Sequence, residues 1–317
     1  MDPMLHDIEL GMSATCYPGG FPLRIATNSR DVLEAAAESW GMYEGPEFST
    51  PPIDIRIAVL PEGDLATMPA FRSQEQLFSA VSGPYNFATF ESKGMSGFAF
   101  VSEKTAAHHM KLRQYFLEAM VYMLLAQRYV VPMHGACVAR SGSGILLCGR
   151  SEAGKSTLAF GCARVGWTYV ADDCTWLLPG ADAGDRMAIG RSHLVHFRDD
   201  APKLFPELES YAARTRPNGK LSLEVPLADF PQIRTSRRCR VDSVVFLDRC
   251  AGTAPAIWPI TSEEMMERLM GDMNSYGEEV NAMYEKTVRR LAEVPSYRLR
   301  YEGLDEAIGL LSKLVGL

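Results

Sequence analysis

The chain has 317 residues, of which 47% are hydrophobic and 22% are charged, and its formal net charge is −7. This composition is typical of an ordinary globular protein with one large or two smaller domains, and the acidic balance disfavours nucleic acid as a partner. The seven cysteines are odd in number and include no Cys-x-x-Cys pair, which argues against a disulfide framework and against a zinc site.

The sequence also bears on cellular location. No apolar run reaches the length of a membrane span. The segment 1–11 carries acids where a secretory signal carries lysines followed by an apolar stretch. Unpaired cysteines among apolar residues fit a reducing compartment. We therefore expect a cytoplasmic protein without a membrane partner.

The region 1–130 predicts mixed α/β structure, because short apolar strands alternate with helical patterns. It carries no metal-ligand spacing and no nucleophile motif, so its expected role is scaffold, oligomer contact or substrate selection. The helix at 32–40 has Asn28 and Ser29 as candidate caps. The predicted strands are 21–26, 53–60, 85–90 and 97–101, and the predicted helices are 32–40 and 105–130.

The region 131–317 alternates apolar strands and amphipathic helices, which predicts a second α/β domain with a mixed sheet. A hairpin turn is expected at 141–144, and Ser262 is a candidate cap for a helix that begins at Glu263. The predicted strands are 136–139, 145–148, 168–171, 220–225, 241–247 and 296–301, and the other predicted helices are 158–165 and 304–314.

One motif in this region carries recognisable chemistry. Gly149-x4-Gly154-Lys155-Ser156 follows an apolar strand and precedes a helix, which is the context of a Walker A phosphate-binding loop. The glycines let successive N–H groups point inward, and the helix adds its positive N-terminal end. The expected nucleotide-binding residues are Gly149, Arg150, Ser151, Glu152, Ala153, Gly154, Lys155, Ser156 and Thr157.

An acidic pair, Asp172-Asp173, ends the strand that follows the helix of this motif. One carboxylate could hold Mg²⁺ together with Ser156, while the other accepts a proton from a substrate hydroxyl. From spacing alone, a solvated turn with a helix-capping Asp accounts for the pair equally well.

Three segments in this order, His134-Gly135, Gly149 to Ser156 and Val170 to Asp173, resemble the catalytic domain of HPr kinase/phosphorylase. The likeness of motif and spacing covers about 40 residues. It implies a phosphoenolpyruvate-carboxykinase-like fold and a kinase that transfers the γ-phosphate of ATP to a serine hydroxyl. Two departures are present. Thr157 stands where that family has Glu, and the family's later Arg-Gly-x-Gly signature has no counterpart.

The resemblance therefore implies a kinase-type site without implying HPr as the substrate. A serine of another protein or peptide is the expected acceptor, and a homo-oligomer is expected. Implied cofactors are ATP and Mg²⁺. The residues implied to be catalytic are Asp172, Asp173, Lys155 and His134, and those implied to hold the metal are Ser156, Asp172 and Asp173.

Alternatives remain open. Val244 to Asp248 has the look of a Walker B strand. In that case Asp248 would hold Mg²⁺, and the protein would be a nucleotide-binding ATPase or regulator without a phospho-acceptor. The spacing of the acidic pair favours the kinase interpretation. His193 and His196 are three residues apart, but no third ligand accompanies them, so we expect no metal site there. Lys220 and Glu224 are expected at a solvated strand edge, and Arg191 at the surface.

Overall fold

The computed structural model describes residues 8–180, 185–215, 219, 221–273 and 276–316. The chain divides into two compact units, Met1–Arg128 and Tyr129–Leu317. Among the residues described, no helix is at once long enough and apolar enough to cross a membrane.

The first unit, as far as it is described, contains a seven-stranded sheet in the order β1-β2-β3-β7-β6-β5-β4. Strands β2, β3 and β7 are parallel neighbours, and the remaining pairs are antiparallel. The strands are β1 (Met12–Cys16), β2 (Leu23–Thr27), β3 (Ile53–Leu60), β4 (Ala70–Gln74), β5 (Leu77–Val81), β6 (Phe87–Glu91) and β7 (Ser96–Ser102). The helices are α1 (Arg30–Trp40), α2 (Glu103–Ala106), α3 (His109–Leu112), a π-helical turn (Arg113–Leu117), α4 (Glu118–Arg128) and a short 3₁₀ turn (Pro18–Gly20).

Two predictions for this unit are wrong in detail. The expected single helix over 105–130 is instead the short helix α2 followed by a continuous helical run from His109 to Arg128 that contains a π-helical turn. The Ser102 hydroxyl caps α2 by accepting from the Thr105 N–H, so the first helix begins at Glu103. Asn28 does not cap α1. Its side chain instead donates to the Val59 carbonyl at 2.9 Å and accepts from the Val59 N–H at 2.7 Å, which ties the start of α1 to β3. The strand predicted at 53–60 is confirmed with its bounds.

The second unit is built on a larger mixed sheet, with the helices on both faces. Its strands are β8 (Val131–Met133), β9 (Gly135–Arg140), β10 (Ser143–Cys148), β11 (Thr168–Ala171), β12 (Thr175–Leu177), β13 (Met187–Gly190), β14 (Leu194–Phe197), β15 (Arg214–Thr215), β16 (Leu221–Pro226), β17 (Arg234–Thr235), β18 (Arg238–Arg249), β19 (Ala256–Ile260) and β20 (Ser296–Tyr301). Its helices are α5 (Lys155–Arg164), α6 (Ser262–Gly271), α7 (Glu278–Arg289) and α8 (Leu304–Leu314), with 3₁₀ turns at Ala201–Lys203, Pro206–Leu208, Leu227–Asp229 and Arg290–Glu293.

The centre of this sheet runs in the order β11-β9-β10-β18-β20. Strands β10, β18 and β20 are parallel, whereas β9 is antiparallel to both of its neighbours. Strands β8, β12 and β13 extend from the first residues of β18. A separate small sheet has the order β14-β16-β15.

Alternating side chains of the central strands form two apolar cores, as the two-residue period of a strand requires. Ile145 and Leu147 of β10 pack with α5, α8 and the small sheet, while Leu146 and Cys148 pack with α6 and α7. Phe160 of α5 makes edge-to-face contact with Phe197 of β14, with ring centroids 5.2 Å apart. The small sheet is therefore fastened to α5 by aromatic packing.

Most predicted elements of this unit are confirmed. Strands 168–171 and 296–301 and helix 304–314 have the bounds expected. The cap prediction at Ser262 is wrong, because the Thr261 hydroxyl accepts from the Glu264 N–H and the helix begins one residue earlier. Lys220, at the start of the expected strand 220–225, lies outside the described residues.

Candidate active site

Strand order alone brings three parts of the expected site to one edge of the central sheet: His134, the glycine-rich loop and the acidic pair. Strands β10 and β11 run in the same direction on either side of β9, which runs oppositely. β9 therefore begins at the edge where β10 and β11 end. His134, directly before β9, is placed between the loop after β10 and the acidic pair after β11. The register of β11 on β9 shifts between Tyr169 and Ala171, just before that pair.

The loop from β10 to α5 has a backbone that requires its glycines. Gly149 and Gly154 have φ values of 151° and 90°. A Cβ at Gly154 would stand 2.6 Å from the Tyr301 hydroxyl. That hydroxyl donates a hydrogen bond of 2.8 Å to the Ala153 carbonyl, so β20 holds the loop from its outer side. Glu152 adopts φ 72° without being glycine, a conformation that L residues rarely take.

Lys155 is the first residue of α5, and it is only 6% exposed. Its Nζ donates to the carbonyls of Gly149 at 2.8 Å and Arg150 at 3.1 Å, and it lies 3.0 Å from His134 Nε2. Burial lowers the pKa of Lys155 below its ordinary value, against the opposing charge of Asp173. The ammonium is thus held inside the curl of the loop, where the sequence predicted a phosphate-binding charge.

His134 connects Lys155 to one acid of the pair. Its Nε2 faces Lys155, and its Nδ1 lies 3.4 Å from Asp173 Oδ1. The His134 and Asp173 side chains are 46% and 52% exposed, so both are open to an approaching molecule. The Thr175 hydroxyl donates to the Gly135 carbonyl at 2.9 Å in the buried interior, which fixes the backbone beside His134.

Asp172 has a different environment from its neighbour. It is 4% exposed, and its Oδ2 accepts the backbone N–H of His196 at 2.7 Å. The His196 ring places Nδ1 3.4 Å from the same oxygen and Nε2 3.7 Å from Glu224 Oε1. Burial pushes the pKa of Asp172 up, but His196 and Arg191 outweigh it and hold that pKa below its ordinary value. Asp172 is therefore held ionised and fixed.

Strand β14 supplies a second contact to the site. Arg198, the residue after the strand, places Nη1 2.8 Å from Oε1 of Glu152 in the glycine-rich loop. The same short strand thus contacts Asp172 through His196 and the loop through Arg198. Both pairs join segments that are far apart in sequence.

Asp248, the rival metal ligand, is engaged elsewhere. Its Oδ2 accepts from Arg298 at 3.0 Å and from Arg300 at 3.4 Å. Both guanidinium groups also lie over the Trp258 ring, at 5.7 and 5.3 Å from its centroid. The preceding residue, Leu247, packs in the core that contains α5. Strand alternation therefore directs Asp248 to the opposite face, where it forms an ion-pair cluster.

The structure thus brings together Lys155, His134 and Asp173, with the backbone of Gly149 and Arg150. Asp172 lies beside this group but faces inward. Ser156 and Thr157 lie in the first turn of α5, and both are half-buried.

The sequence interpretation missed His196, Glu224, Arg198 and Tyr301 as neighbours of the site. The alternation of apolar residues with His196 in Leu194–Phe197 was the available signal for β14. Nothing local indicated which residues it would contact, because every partner comes from a distant segment.

The first unit carries a groove of about 860 Å³ on one face of its sheet. Its charged residues include Arg24 and Asp54, which form a two-bonded ion pair at 2.7 Å on neighbouring strands. Such a pair satisfies its own charges, and Glu91, which also lines the groove, accepts the backbone N–H groups of Lys93 and Gly94.

A second cluster in the first unit places ligand atoms of Asp31, Glu34 and His109 within 4.8 Å of one another. His109 Nδ1 also lies 2.5 Å from Glu38 Oε1, and this hydrogen bond raises the pKa of His109. Arg113 pairs with the other Glu38 oxygen at 3.2 Å. The cluster is accordingly a network of ion pairs between α1 and the helical segments after it.

Parts of this chain resemble known proteins or families. A family model described as "SynChlorMet cassette protein ScmC" matches residues 101–189. No curated protein matches the chain. A solved structure of the Hpr(Ser) kinase/phosphatase from Coxiella burnetii is similar over 58% of this chain and 97% of that chain, with 12% identity and a TM-score of 0.30. Neither similarity assigns an activity to this chain.

Proposed function

We propose that this chain is an ATP- and Mg²⁺-dependent phosphotransferase whose acceptor is a hydroxyl, a serine of a protein or peptide. One observation carries the proposal: His134 contacts the loop-held ammonium of Lys155 with one ring nitrogen and the half-exposed Asp173 with the other. One imidazole ring thus separates the Lys155 ammonium, which suits a phosphate, from the Asp173 carboxylate, which suits accepting a proton. Such a spacing suits a reaction between a phosphate and a hydroxyl.

The loop fits a polyphosphate. Positive φ values at Gly149 and Gly154 curl the backbone, and a Cβ on Gly154 would crowd the Tyr301 hydroxyl at 2.6 Å. The first turn of α5 adds N-terminal N–H groups to the same place. Lys155 now donates to two loop carbonyls, and we infer that it turns to the phosphates when the donor binds.

Asp173 is the base in this proposal, because Asp172 is buried and its Oδ2 is committed to His196. The acceptor oxygen forms a bond to the γ-phosphorus as its proton passes to Asp173. The bond between that phosphorus and the β,γ-bridging oxygen breaks, and ADP leaves. His134 fixes the Asp173 carboxylate and Lys155 balances charge that builds on the phosphate oxygens.

The residues also fit Mg²⁺, which prefers hard oxygen ligands. Ser156 offers a hydroxyl in the first turn of α5, and phosphate oxygens of the donor would complete the ligand set, which leaves Asp173 free to accept the proton. Bound there, Mg²⁺ would neutralise charge on the phosphates. The chain's own part is to supply the Ser156 hydroxyl and to keep Asp172 away from the ion by burying it.

A transfer assay tests the proposal. The chain is incubated with ATP labelled in the γ-phosphate, Mg²⁺ and a degenerate peptide library with one central serine, beside a library with alanine in its place. We expect label only in the serine library. Asp173→Asn and Lys155→Met should each lower the transfer rate at least about a hundredfold.

Asp229→Asn is the matched control for the loss of a carboxylate. Asp229 is exposed and accepts a hydrogen bond from the Tyr211 hydroxyl at 2.6 Å, and its substitution should leave transfer unchanged. If the wild-type chain releases free phosphate but puts no label on serine, the kinase proposal is wrong and the chain is an ATPase. Full transfer by Asp173→Asn would remove Asp173 from the role of base.

A further inference from the structure

We propose that Arg198 binds the terminal phosphate of the donor and so distinguishes a nucleoside triphosphate from a diphosphate. The inference rests on the proposed function, since it takes the glycine-rich loop to be the phosphate site. It concerns a residue outside the motif, which approaches the loop from the small sheet. In the structure Arg198 is paired with Glu152, 2.8 Å away.

The acid in the loop gives the first reason. Glu152 stands three residues before Lys155, at φ 72°, inside the segment expected to surround phosphate. A carboxylate there repels a polyphosphate unless a cation offsets it. Arg198 supplies that cation, so any anion that enters the loop meets the guanidinium together with Glu152.

The position of Arg198 gives the second reason. The residue before it, Phe197, packs against Phe160 of α5, and the His196 N–H is bonded to Asp172. Phe197 thus fixes the end of β14 to α5, and His196 fixes it to the acidic pair. The Arg198 backbone is placed by these contacts, while its side chain is left to move.

The exposure of the ion pair gives the third reason. The side chains of Arg198 and Glu152 are 63% and 61% exposed, and ion pairs so open to water contribute little stability. A terminal phosphate carries more charge than one carboxylate, and it can accept two of the five guanidinium N–H groups at once. In the proposed reaction the terminal phosphate lies nearest the acidic pair, and β14 approaches the loop from that side because His196 is bonded to Asp172. A triphosphate should therefore draw Arg198 away from Glu152, whereas a diphosphate lacks the phosphate on that side.

Calorimetric titration with MgADP and with the Mg²⁺ complex of a non-hydrolysable ATP analogue tests this inference without any acceptor. The chains are wild type, Arg198→Met, Glu152→Gln and the double variant. We expect Arg198→Met to weaken binding of the ATP analogue about ten- to a hundredfold, the effect of losing one charge-assisted contact. Binding of MgADP should weaken less than about threefold. Glu152→Gln should strengthen the binding of both ligands. The double variant should still bind the ATP analogue selectively more weakly than Glu152→Gln alone does.

Arg164→Met is the matched control, since Arg164 also pairs with a glutamate, Glu207 at 2.9 Å, and stacks over Phe205. It should bind both ligands as the wild type does. Arg198→Met could weaken the binding of both ligands equally, with normal binding restored in the double variant. That result would mean that Arg198 only neutralises Glu152, and it would overturn the inference. An Arg198→Met chain that binds both like the wild type overturns it too. A wild-type chain that binds neither ligand overturns the proposed function itself.

Discussion

The backbone N–H of His196 donates a 2.7 Å hydrogen bond to Asp172, whereas the next residue, Asp173, faces His134 across 3.4 Å. Two adjacent carboxylates therefore have opposite surroundings. Asp172 is buried and belongs to the framework of the site, while Asp173 is half-exposed and open to a reactant. Their substitution by asparagine should accordingly separate stability from activity.

Asp172→Asn should lower the free energy of unfolding by about 1.5–3 kcal/mol, the range for a hydrogen bond to a charged group. Asp173→Asn should change that free energy by less than about 0.5 kcal/mol, as expected for an exposed position, while phosphoryl transfer is lost. Urea unfolding and the labelled-ATP assay on the same two variants measure both effects. An equal loss of stability in both would contradict the division between them.

Because the pKa of Asp172 is lowered, the contribution of this residue to the free energy of unfolding should depend on pH. Its pKa in the folded chain lies below the ordinary carboxyl value, which is about 3.9. The stabilisation it gives is therefore fully present above that pH and is lost as the pH falls through the folded pKa. The difference in unfolding free energy between wild type and Asp172→Asn should shrink in acid. A difference that grows below pH 4 would show that the folded pKa is raised.

The frame of the site follows from local sequence signals. The apolar run 145–148, the glycine motif and the strand 168–171 predicted the correct elements in the correct order. The two-residue period of β10 and β18 also accounts for the two cores on either side of the sheet.

The contacts between distant segments could not be predicted in the same way. His196 and Glu224 are register partners on β14 and β16. His196 meets Asp172 only through packing of the small sheet on α5, and Glu224 contacts the other side of the His196 ring. Short exposed strands such as β4 have no strong period, so composition does not distinguish them from loops. The difference between Asp172 and Asp173 depends on burial, which adjacent identical residues cannot reveal.

Asp248→Ala should leave nucleotide turnover within about twofold of wild type, because the Asp248 carboxylate is bonded to Arg298 and Arg300. Its loss should cost at most about 1 kcal/mol of unfolding free energy, since all three side chains are partly exposed. The labelled-ATP assay with Asp248→Ala measures this beside Asp173→Asn. If Asp248→Ala lost most of its turnover while Asp173→Asn did not, Asp248 would be the better candidate for the metal ligand.

Tyr301 and Gly154 offer a test of loop geometry. The Tyr301 hydroxyl bonds the Ala153 carbonyl at 2.8 Å, and a Cβ on Gly154 would meet the same hydroxyl at 2.6 Å. Tyr301→Phe should weaken nucleotide binding several-fold, because it removes one bond worth about 1 kcal/mol. Gly154→Ala should weaken it more, since alanine at φ 90° adds about 1–2 kcal/mol of backbone strain to the steric conflict.

The two substitutions should not be additive, because they act on the same contact. In the double variant the hydroxyl that opposes the new methyl group is gone, so the steric conflict is relieved, while the backbone strain and the loss of the hydrogen bond to Ala153 remain. Calorimetry with MgADP should therefore show tighter binding by the double variant than by Gly154→Ala alone. If the double variant binds more weakly than either single one, the hydroxyl does not limit the space beside Gly154, and the loop is held by other contacts.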